Sequence, residues 1–430
     1  MAGLTASNYS DILKEDYQDR IVNQLEESNA LLQKIEKTSE YIDGRYAYQP
    51  LAIGRNEGIS YTDEDEEYSG PDFQKHDKAT FKLRYVYLTL GVTGQVMALS
   101  QTNKGSFKRG LQNEVEGGLV DMRKDLNRMS WGDGTGVRAL VNTKTVAALK
   151  STALTIPIRN DVTNHWSRTG WLNANARVDF MQLKDATPAG TFLWSVNNTI
   201  SARLNATQIS IDTFFKNGAS NVGLQTQSIS IGVYRAGSRN KVPYGLAALV
   251  TTGNPPHGAL NFGSIDRTAA GKDFWKAPVL TSAGLQPISQ ELLDSALDEA
   301  DIACNEWPDC GMTSHPVARR IAGITLGDRR QRFGPMMVLD GGWKGVMWGE
   351  IPIYVDPDAT KNVLYMLNTK YIVMHQNGPF AWIDEQNGVL VKVNRKDAWE
   401  ATLRKYCNLA ASRCNCNVGL FSLDPLSNAA

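Results

Sequence analysis

The sequence predicts a protein in which helices and β-strands occupy separate stretches of the chain. Residues 106–130 carry apolar side chains three and four positions apart, which is the spacing of one face of an α-helix. Residues 150–245 instead contain short apolar runs separated by Asn, Gly, Asp and Ser, a pattern typical of a small all-β module. A chain of 430 residues, 42% of them hydrophobic, is long enough to bury these elements in a sizeable core.

The charge balance argues against two classes of partner. The 45 basic and 45 acidic residues give a formal net charge of zero, so there is no electrostatic reason to bind free nucleic acid strongly or to coat an anionic membrane. The first 17 residues lack the basic and apolar regions of a secretory signal. No apolar run approaches the ~18 residues that a membrane span needs. We therefore expect a soluble protein, made inside a cell, whose neutral charge is compatible with self-association.

Residues 9–37 predict a polar helix that lies on a surface, its own or a neighbour's. Residues 45–60 and 79–93 predict the two strands of a long arm, and the alternation in "FKLRYVYLTLGV" predicts that four apolar side chains share one face of the second strand. These four are Phe81, Leu83, Tyr85 and Tyr87. Because an isolated two-stranded ribbon is marginal in water, we expect another subunit to cover the arm.

The tip of the arm is acidic. It carries the run Asp63, Glu64, Asp65, Glu66 and Glu67, which lacks the alternating ligands and central glycine of a calcium-binding loop. Two interpretations stay open: a solvated loop tip, or a segment that pairs with arginines of a neighbour. The arginine-rich stretch of the chain supplies the candidate partners Arg319, Arg320, Arg329, Arg330 and Arg332.

The helix predicted at 106–130 has Ser106 as its candidate N-cap, and Gly117-Gly118 indicates a close backbone contact. The loop "SWGDGTG" follows this helix. A phosphate loop precedes a helix, because helix N-termini bind anions and C-termini repel them. We therefore exclude nucleotide binding here, and predict that Gly132 adopts the left-handed conformation that ends helices.

The remaining elements follow from the same patterns. Residues 287–304 and 314–324 predict helices, and the first has Leu293, Leu297, Ala300 and Cys304 on one face. Apolar runs in "GVMWGEIPIYVDPD", "VLYMLNTKYIVMH" and the C-terminal stretch predict strands.

No concentrated chemistry is visible. The five cysteines, at positions 304, 310, 407, 414 and 416, are too few and irregular for a disulfide framework or a zinc site, so we expect ordinary buried or half-buried thiols. The five histidines are scattered, and Asp356 and Asp358 flank Pro357, which favours a turn over a catalytic pair. We predict no catalytic, cofactor or metal site, and favour an assembly protein. The competing hypothesis is a hydrolase or metal enzyme built on Asp212, His165 and the late cysteines.

Four segments, in this order, resemble the major capsid proteins of tailed double-stranded DNA bacteriophages. They are "LLQKIEKTSEYIDGRYAYQPLAIGRNEGI", "NKGSFKRGLQNEVEGGLVDMRKDLNRMSWGDGTGV", "ISQELLDSALDEADIACNE" and "MMVLDGGWKGVMWGEIPIYVDPDATKNVLYMLNTKYI". The resemblance implies an α+β subunit with an N-terminal arm (1–45), an extended loop (46–94), a spine helix with peripheral domain (95–149), an axial domain (246–365) and peripheral return strands (366–430). Residues 150–245 match least and are interpreted as a β-rich inserted subdomain.

The function implied by the resemblance is structural. Copies of the chain would form hexamers and pentamers of an icosahedral shell around double-stranded DNA, which they would contact weakly, in a virion assembled in the bacterial cytoplasm. A portal protein is an expected partner, and scaffolding and decoration proteins are possible ones. The arm begins almost at residue 1, so we expect scaffolding to be separate or absent, or this chain to be the mature form. The alternative with the same fold is an encapsulin-like nanocompartment shell.

Overall fold

We describe a computed structural model of the chain. It describes residues 30–54, 56, 58–67, 69–95, 104–141, 155–158, 172–182, 193–205, 208–211, 231–255, 261–328, 337–338, 344–383 and 391–426. The helices are α1 (Ala30–Lys34), α2 (Lys104–Trp131), α3 (Leu246–Leu249), α4 (Gln290–Cys304) and α5 (His315–Asp328). Short 3-10 turns occupy Phe262–Ser264, Asp273–Trp275 and Thr369–Tyr371. No helix in these ranges is both long and apolar enough to cross a membrane.

The strands of the N-terminal half are β1 (Glu36–Thr38), β2 (Ile42–Asp43), β3 (Tyr46–Gly54), β4 (Lys75–Lys82), β5 (Arg84–Thr93), β6 (Val137–Leu140), β7 (Thr155–Pro157), β8 (Arg177–Gln182), β9 (Leu193–Asn205), β10 (Gln208–Ile211) and β11 (Ile231–Arg235). Those of the C-terminal half are β12 (Val279–Leu280), β13 (Gln286–Pro287), β14 (Cys310–Thr313), β15 (Met337–Val338), β16 (Lys344–Trp348), β17 (Ile351–Val355), β18 (Leu364–Leu367), β19 (Ile372–Gln376), β20 (Ala381–Trp382), β21 (Val391–Lys392), β22 (Ala398–Ala411), β23 (Val418–Leu420) and β24 (Leu423–Asp424). The chain is therefore a mixture of α and β structure.

Three larger sheets organise these strands. The first is centred on the long strand β22, which pairs with β5, β19, β20 and β21, while β1 adds to the far side of β19. The second has the order β6-β11-β8-β9-β10-β7, and the third has the order β12-β23-β18-β14-β17-β16-β15. The strands predicted in the β-rich stretch thus form one sheet, which also includes β6 from before it.

The long helix α2 packs one face on the first sheet. The apolar residues Val115, Leu119, Met122 and Leu126, predicted to share a face, are buried there against Leu90, Phe380, Trp382, Ala401 and Leu403. A Cβ added to Gly118 would lie 2.9 Å from Cδ2 of Leu90, so the predicted close contact is confirmed at this glycine. Gly117 faces open space. The helix begins by Lys104, which places Ser106 inside it, so the N-cap prediction is wrong.

The two later helices cover the third sheet. Helix α4 begins after Ser289, whose hydroxyl accepts a hydrogen bond from the Leu292 N–H at 3.2 Å, and ends at Asn305 in the left-handed conformation. Leu293, Ala296 and Ala300 are buried with Ile321 of α5 against the sheet. Both predicted helices are confirmed, and α5 continues to Asp328.

Three further sequence-based expectations about the fold are corrected by the structure. Helix α1 ends at Lys34, and the chain continues as strand β1, so the helix predicted to 37 is too long at this end; residues 9–29 lie outside the described ranges. The strand expected at 79–93 breaks at Leu83, where the chain passes from the arm to the first sheet. Phe81 and Leu83 are therefore buried, whereas Tyr85 and Tyr87 are exposed.

The third correction concerns the cysteines. Cys304 at the end of α4 forms a disulfide with Cys416, with the two Cα atoms 5.2 Å apart. This pairing joins residues separated by 112 positions, a relationship that spacing along the sequence does not reveal. Cys310, Cys407 and Cys414 are buried cysteines that form no disulfide, as expected.

Candidate functional site

The arm is a β-hairpin whose paired strands pack on the core and whose distal segment, between Gly54 and Lys75, is largely exposed. Strands β3 and β4 pair antiparallel from Tyr46 opposite Lys82 to Gly54 opposite Lys75, and short β2 pairs with β3 at the base. Nine residues of β3 extend about 30 Å. The base is anchored because Phe81 is fully buried and packs edge-on against Phe262 and Tyr244.

Beyond the paired strands the arm presents apolar side chains to water. Ile59, Tyr61 and Phe73 are 69%, 97% and 78% exposed. The two sides of this distal segment are joined by the Asn56 amide, which donates to the Asp72 carbonyl at 2.7 Å. Three large apolar side chains this exposed on one narrow projection are unusual for a surface that stays in water. The distal arm is therefore a candidate contact surface.

The acidic run lies at the tip of the arm. All five side chains from Asp63 to Glu67 are exposed, and the tip is a tight turn in which the Asp63 N–H donates to Glu66 Oε2 at 3.3 Å. Within the described part of the chain, none of these carboxylates forms an ion pair. The five acids lie together at the tip, and the residues that the structure describes supply no ion pair to compensate their charge.

The arginines predicted to receive this tip are only partly described. Arg319 is exposed and Arg320 half-buried, at adjacent positions of α5. Arg329, Arg330 and Arg332 lie outside the described residues. No ion pair joins Arg319 or Arg320 to the tip of the same chain among the described residues. Their pairing with a neighbour's tip therefore stays a prediction.

A different set of arginines converges on one carboxylate. Near the end of α2, Asp125 receives the guanidinium groups of Arg128 at 3.4 Å, Arg138 at 2.9 Å and Arg235 at 3.0 Å. The side chains of Arg128 and Arg138 are 5% and 9% exposed, whereas that of Arg235 is 66% exposed. We call these four residues the Asp125 cluster.

The electrostatics of the cluster reflect its three cations. Burial raises the pKa of Asp125, but the charges of Arg128, Arg138 and Arg235 outweigh it, so the pKa lies below the ordinary aspartate value. Burial and the nearby charge of Arg128 lower the pKa of Arg138 to about 10. Burial is the largest cause of this lower pKa, and the charges of Arg128 and Arg235 add to it while Asp125 opposes them.

The turn after β11 extends the basic surface. Arg239 and Lys241 follow Arg235 within seven residues, and Lys241 is exposed. The turn is held in place because the Gly237 N–H donates to Asp179 Oδ2 at 2.7 Å and the Asn240 N–H donates to the Thr135 carbonyl at 2.9 Å. Arg235 therefore projects from a fixed backbone.

No protein-family model and no curated protein sequence matches the chain. A chain of the cyanophage A-1(L) capsid asymmetric unit aligns with a TM-score of 0.51 at 10% sequence identity, over 94% of this chain and 92% of that chain. The chain therefore shares its fold with this cyanophage capsid chain. Chains of the holo-SrpI encapsulin complex from Synechococcus elongatus (TM-score 0.41, 9% identity, 93% and 89% covered) and of the native GTA particle capsid (TM-score 0.42, 8% identity, 93% and 91% covered) are also similar. Their TM-scores are below 0.5, so the fold of this chain is assigned from its similarity to the cyanophage chain.

In this capsid fold, the Asp125 cluster lies where α2 meets the second sheet, and sequence reasoning missed it. Arg138 is on β6 and Arg235 is at the end of β11, strands that pair with each other only in the folded chain. The one local signal was the three-residue spacing of Asp125 and Arg128 on α2, which is common on helix surfaces. The convergence depends on tertiary structure.

The glycine-rich loop "SWGDGTG" forms a turn, but the glycines with left-handed backbone conformation are not the one predicted. Gly134 and Gly136 both have φ of +85°, whereas Gly132 is not in the left-handed region, so the prediction for Gly132 is wrong. A Cβ on Gly134 would lie 2.6 Å from Cδ1 of Tyr244. Asp133 Oδ1 accepts from the Thr135 N–H at 3.0 Å and from its hydroxyl, which closes the turn.

The Asp356–Asp358 motif of the capsid fold is also a turn, as predicted. The Asp358 N–H donates to Asp356 Oδ1 at 2.7 Å, and the Ala359 N–H donates to the Asp356 carbonyl at 3.2 Å. Across the described ranges, no group of three or more His, Cys, Asp and Glu side chains is arranged to hold a metal ion. His165 and Asp212, which the enzyme hypothesis required, lie outside these ranges.

Proposed function

We propose that the chain is a major capsid protein of a tailed bacteriophage, which assembles through hexamers and pentamers into an icosahedral shell around double-stranded DNA. The fold shared with the cyanophage capsid chain supports a shell subunit. The observation that carries the proposal is the arm. It places Ile59, Tyr61 and Phe73 in water, away from the core of its own chain, where a second subunit would bury them.

In this proposal the arm is the device that joins subunits. Burying three large apolar side chains contributes several kcal/mol per subunit, at about 1.5–3 kcal/mol for each side chain. The acidic tip adds charge complementarity toward arginines of the neighbour, for which Arg319, Arg320, Arg329, Arg330 and Arg332 are the candidates that the sequence supplies. The chain acts mechanically, in the virion, and has no catalytic role.

The proposed domains place α2 and the first sheet in the peripheral domain, and α4, α5 and the third sheet in the axial domain around the capsomer axis. The second sheet forms the inserted subdomain. Packaged DNA would be contacted weakly, since the formal net charge is zero. Portal, scaffolding and decoration proteins would be supplied separately, and assembly would take place in the bacterial cytoplasm.

Light scattering and negative-stain imaging of the expressed full chain test this proposal. We expect closed particles or ring-shaped capsomers whose fraction grows with protein concentration. A stable monomer at every concentration and salt condition would refute it. Particles that hold a cargo enzyme in place of DNA when isolated from the native source would favour the nanocompartment alternative.

A second experiment isolates the arm. Residues 59–73 are replaced by an Asn-Gly turn, which closes a hairpin with little strain and leaves β3 and β4 intact. We expect a folded chain that no longer forms stable particles. A matched control keeps the arm and substitutes Asp63→Asn, so that the apolar surface is unchanged. Unaltered assembly by the shortened chain would remove the arm from the proposal.

A further inference from the structure

We propose that the Asp125 cluster is the receptor for the acidic arm tip of a second copy of this chain, with Arg235 making the direct ion pairs. This inference rests on the proposed function, because it names where the proposed arm binds. The tip would then bind the Asp125 cluster of the neighbour and not the arginine-rich stretch 319–332.

The cluster is built to accept a further anion. Three guanidinium groups meet at one carboxylate, which gives the contacting groups a formal excess of two positive charges. Arg235 bonds to Asp125 through one nitrogen and its side chain is 66% exposed, so most of its five N–H donors are not used by Asp125. The buried pair Arg128 and Arg138 holds positive potential behind it, in surroundings where charges are screened less than at an open surface.

The acidic tip matches this site in charge and in reach. It presents five exposed carboxylates in five consecutive residues, none of them paired within the described part of its own chain. The paired strands extend about 30 Å and stay packed on the core as far as Leu51 and Ala79, and the segment between Gly54 and Lys75 carries the tip beyond them. Carboxylate and guanidinium form forked hydrogen bonds, the strongest class of charged contact in proteins.

The geometry favours the Asp125 cluster over α5 as the receptor. Arg319 and Arg320 are adjacent on a helix, so their Cα–Cβ directions differ by roughly 100° and the two side chains diverge. The arginines of the cluster instead converge on one point from α2, β6 and β11. Lys241 adds a further exposed cation at the end of the turn that follows Arg235.

Site-directed cross-linking tests the pairing. Full-length chains carrying Glu66→Cys are mixed with chains carrying Arg235→Cys and treated with a short bismaleimide reagent, and denaturing gels report covalent dimers. The matched control replaces Arg235→Cys by Arg319→Cys. We expect dimers with Arg235→Cys and a yield about tenfold lower with Arg319→Cys. Dimers with Arg319→Cys alone would overturn the proposal in favour of the α5 arginines.

Charge exchange provides a second measurement. Arg235→Glu brings like charges together across the contact, and we expect about tenfold fewer particles, which corresponds to about 1.4 kcal/mol. Combining it with Glu64→Lys and Glu66→Lys in the same chain should restore the yield. Circular dichroism verifies that each variant is folded. An Arg235→Glu variant that assembles normally would overturn the proposal.

The outcomes separate this inference from the proposed function. Absence of particles from the unaltered chain counts against a shell subunit, whereas absence of the Glu66–Arg235 cross-link in particles that do form counts only against this contact. If Arg235→Glu leaves assembly unchanged but lowers the DNA retained by particles, the cluster binds phosphate, and the pairing with the tip is wrong.

Discussion

The side-chain amide of Asn127 lies 2.9 Å from Oδ1 of Asp356 and donates a hydrogen bond to it inside the protein. The same nitrogen lies 2.9 Å from Oδ2 of Asp358. One amide on α2 therefore fixes a turn that follows β17 of the third sheet. This bond is a direct link between the long helix and the sheet that carries α4 and α5.

Replacing Asn127 by alanine should lower the free energy of unfolding by about 1.5–3 kcal/mol, because it removes a buried amide that donates to both Asp356 and Asp358. Urea unfolding of the soluble chain measures the loss. Asn254→Ala is the matched control, since its amide also donates to a carboxylate, Asp266 at 2.8 Å, but in an exposed position where water can replace it. Equal losses in the two variants would show that burial of the Asn127 bond does not matter.

The pKa of Asp356 gives a prediction with a definite sign. Burial is the main cause that raises this pKa above the ordinary value of 3.8. Between the unfolded pKa and the higher folded pKa, the folded state binds more protons than the unfolded state. The contribution of Asp356 to stability therefore falls as pH rises through that window. In Asp356→Asn this fall, at most about 1.4 kcal/mol per pH unit, should disappear.

Asp125 supplies the opposite case. Its pKa is lowered, so its contribution to stability is present above the unfolded pKa and is lost as pH falls toward the folded pKa. Asp125→Asn should remove that loss in acid. Unfolding series from pH 3 to 7 on both variants check the two slopes, and a pH slope in either variant equal to that of the unaltered chain would contradict the corresponding assignment.

The left-handed turn after α2 predicts a contrast between two glycines. Gly134→Ala places a Cβ in a backbone with φ of +85° and 2.6 Å from Tyr244, so we expect a loss of about 2–4 kcal/mol. Gly132→Ala meets nothing nearer than the Met129 carbonyl oxygen at 3.4 Å, and should cost less than about 1 kcal/mol. Thermal unfolding of the pair measures both, and the reverse order would restore Gly132 as the critical residue.

Arg267 is fully buried and binds main-chain carbonyls in place of a carboxylate. Its guanidinium donates to the carbonyls of Ala248 at 2.9 Å and Leu249 at 3.0 Å, and so satisfies the end of α3. We expect Arg267→Met to cost about 3 kcal/mol or more, since several buried acceptors lose their donor. The exposed Arg45, which lies 5.3 Å from the ring of Tyr46, is the control, and Arg45→Met should change stability by less than about 1 kcal/mol.

The disulfide predicts sensitivity to reductant. Closing a loop of 112 residues restricts the unfolded chain, an effect of about 2–4 kcal/mol. Dithiothreitol should therefore lower the unfolding midpoint of the unaltered chain and leave that of the Cys304→Ser, Cys416→Ser double variant unchanged. Cys310→Ser, which removes a buried free thiol, should retain the response to reductant. A midpoint that ignores reductant in the unaltered chain would argue against the bond.

The sequence predicts elements well where one period extends over many residues. Helix α2 shows its apolar face over four turns, and the burial of Val115, Leu119, Met122 and Leu126 follows from that spacing alone. Helix α4 adds a capping serine, so its start was predictable to within a few residues. The short strands of the second sheet were also identified, because turn residues separate them.

What the sequence does not predict depends on residues far apart in the chain. The strand breaks at Leu83 because residues before it pair with β3 and residues after it pair with β22. The alternation of apolar and polar side chains continues across the break and therefore does not reveal it. The disulfide and the Asp125 cluster unite positions whose proximity exists only after β6 pairs with β11 or α4 packs on the third sheet. Left-handed glycines were misplaced by two residues because the tight neighbour, Tyr244, comes from a distant segment.

The central place of β22 in the first sheet has a consequence for synthesis. Ala398 pairs with Thr93 and Cys407 pairs with Arg84, so β5 has no partner in this sheet until about 300 further residues have been synthesised. At ~5–20 residues per second, that wait lasts from tens of seconds to more than a minute. During this time the apolar face of α2 has no sheet to cover it. A nascent chain is thus the form most in need of chaperone protection.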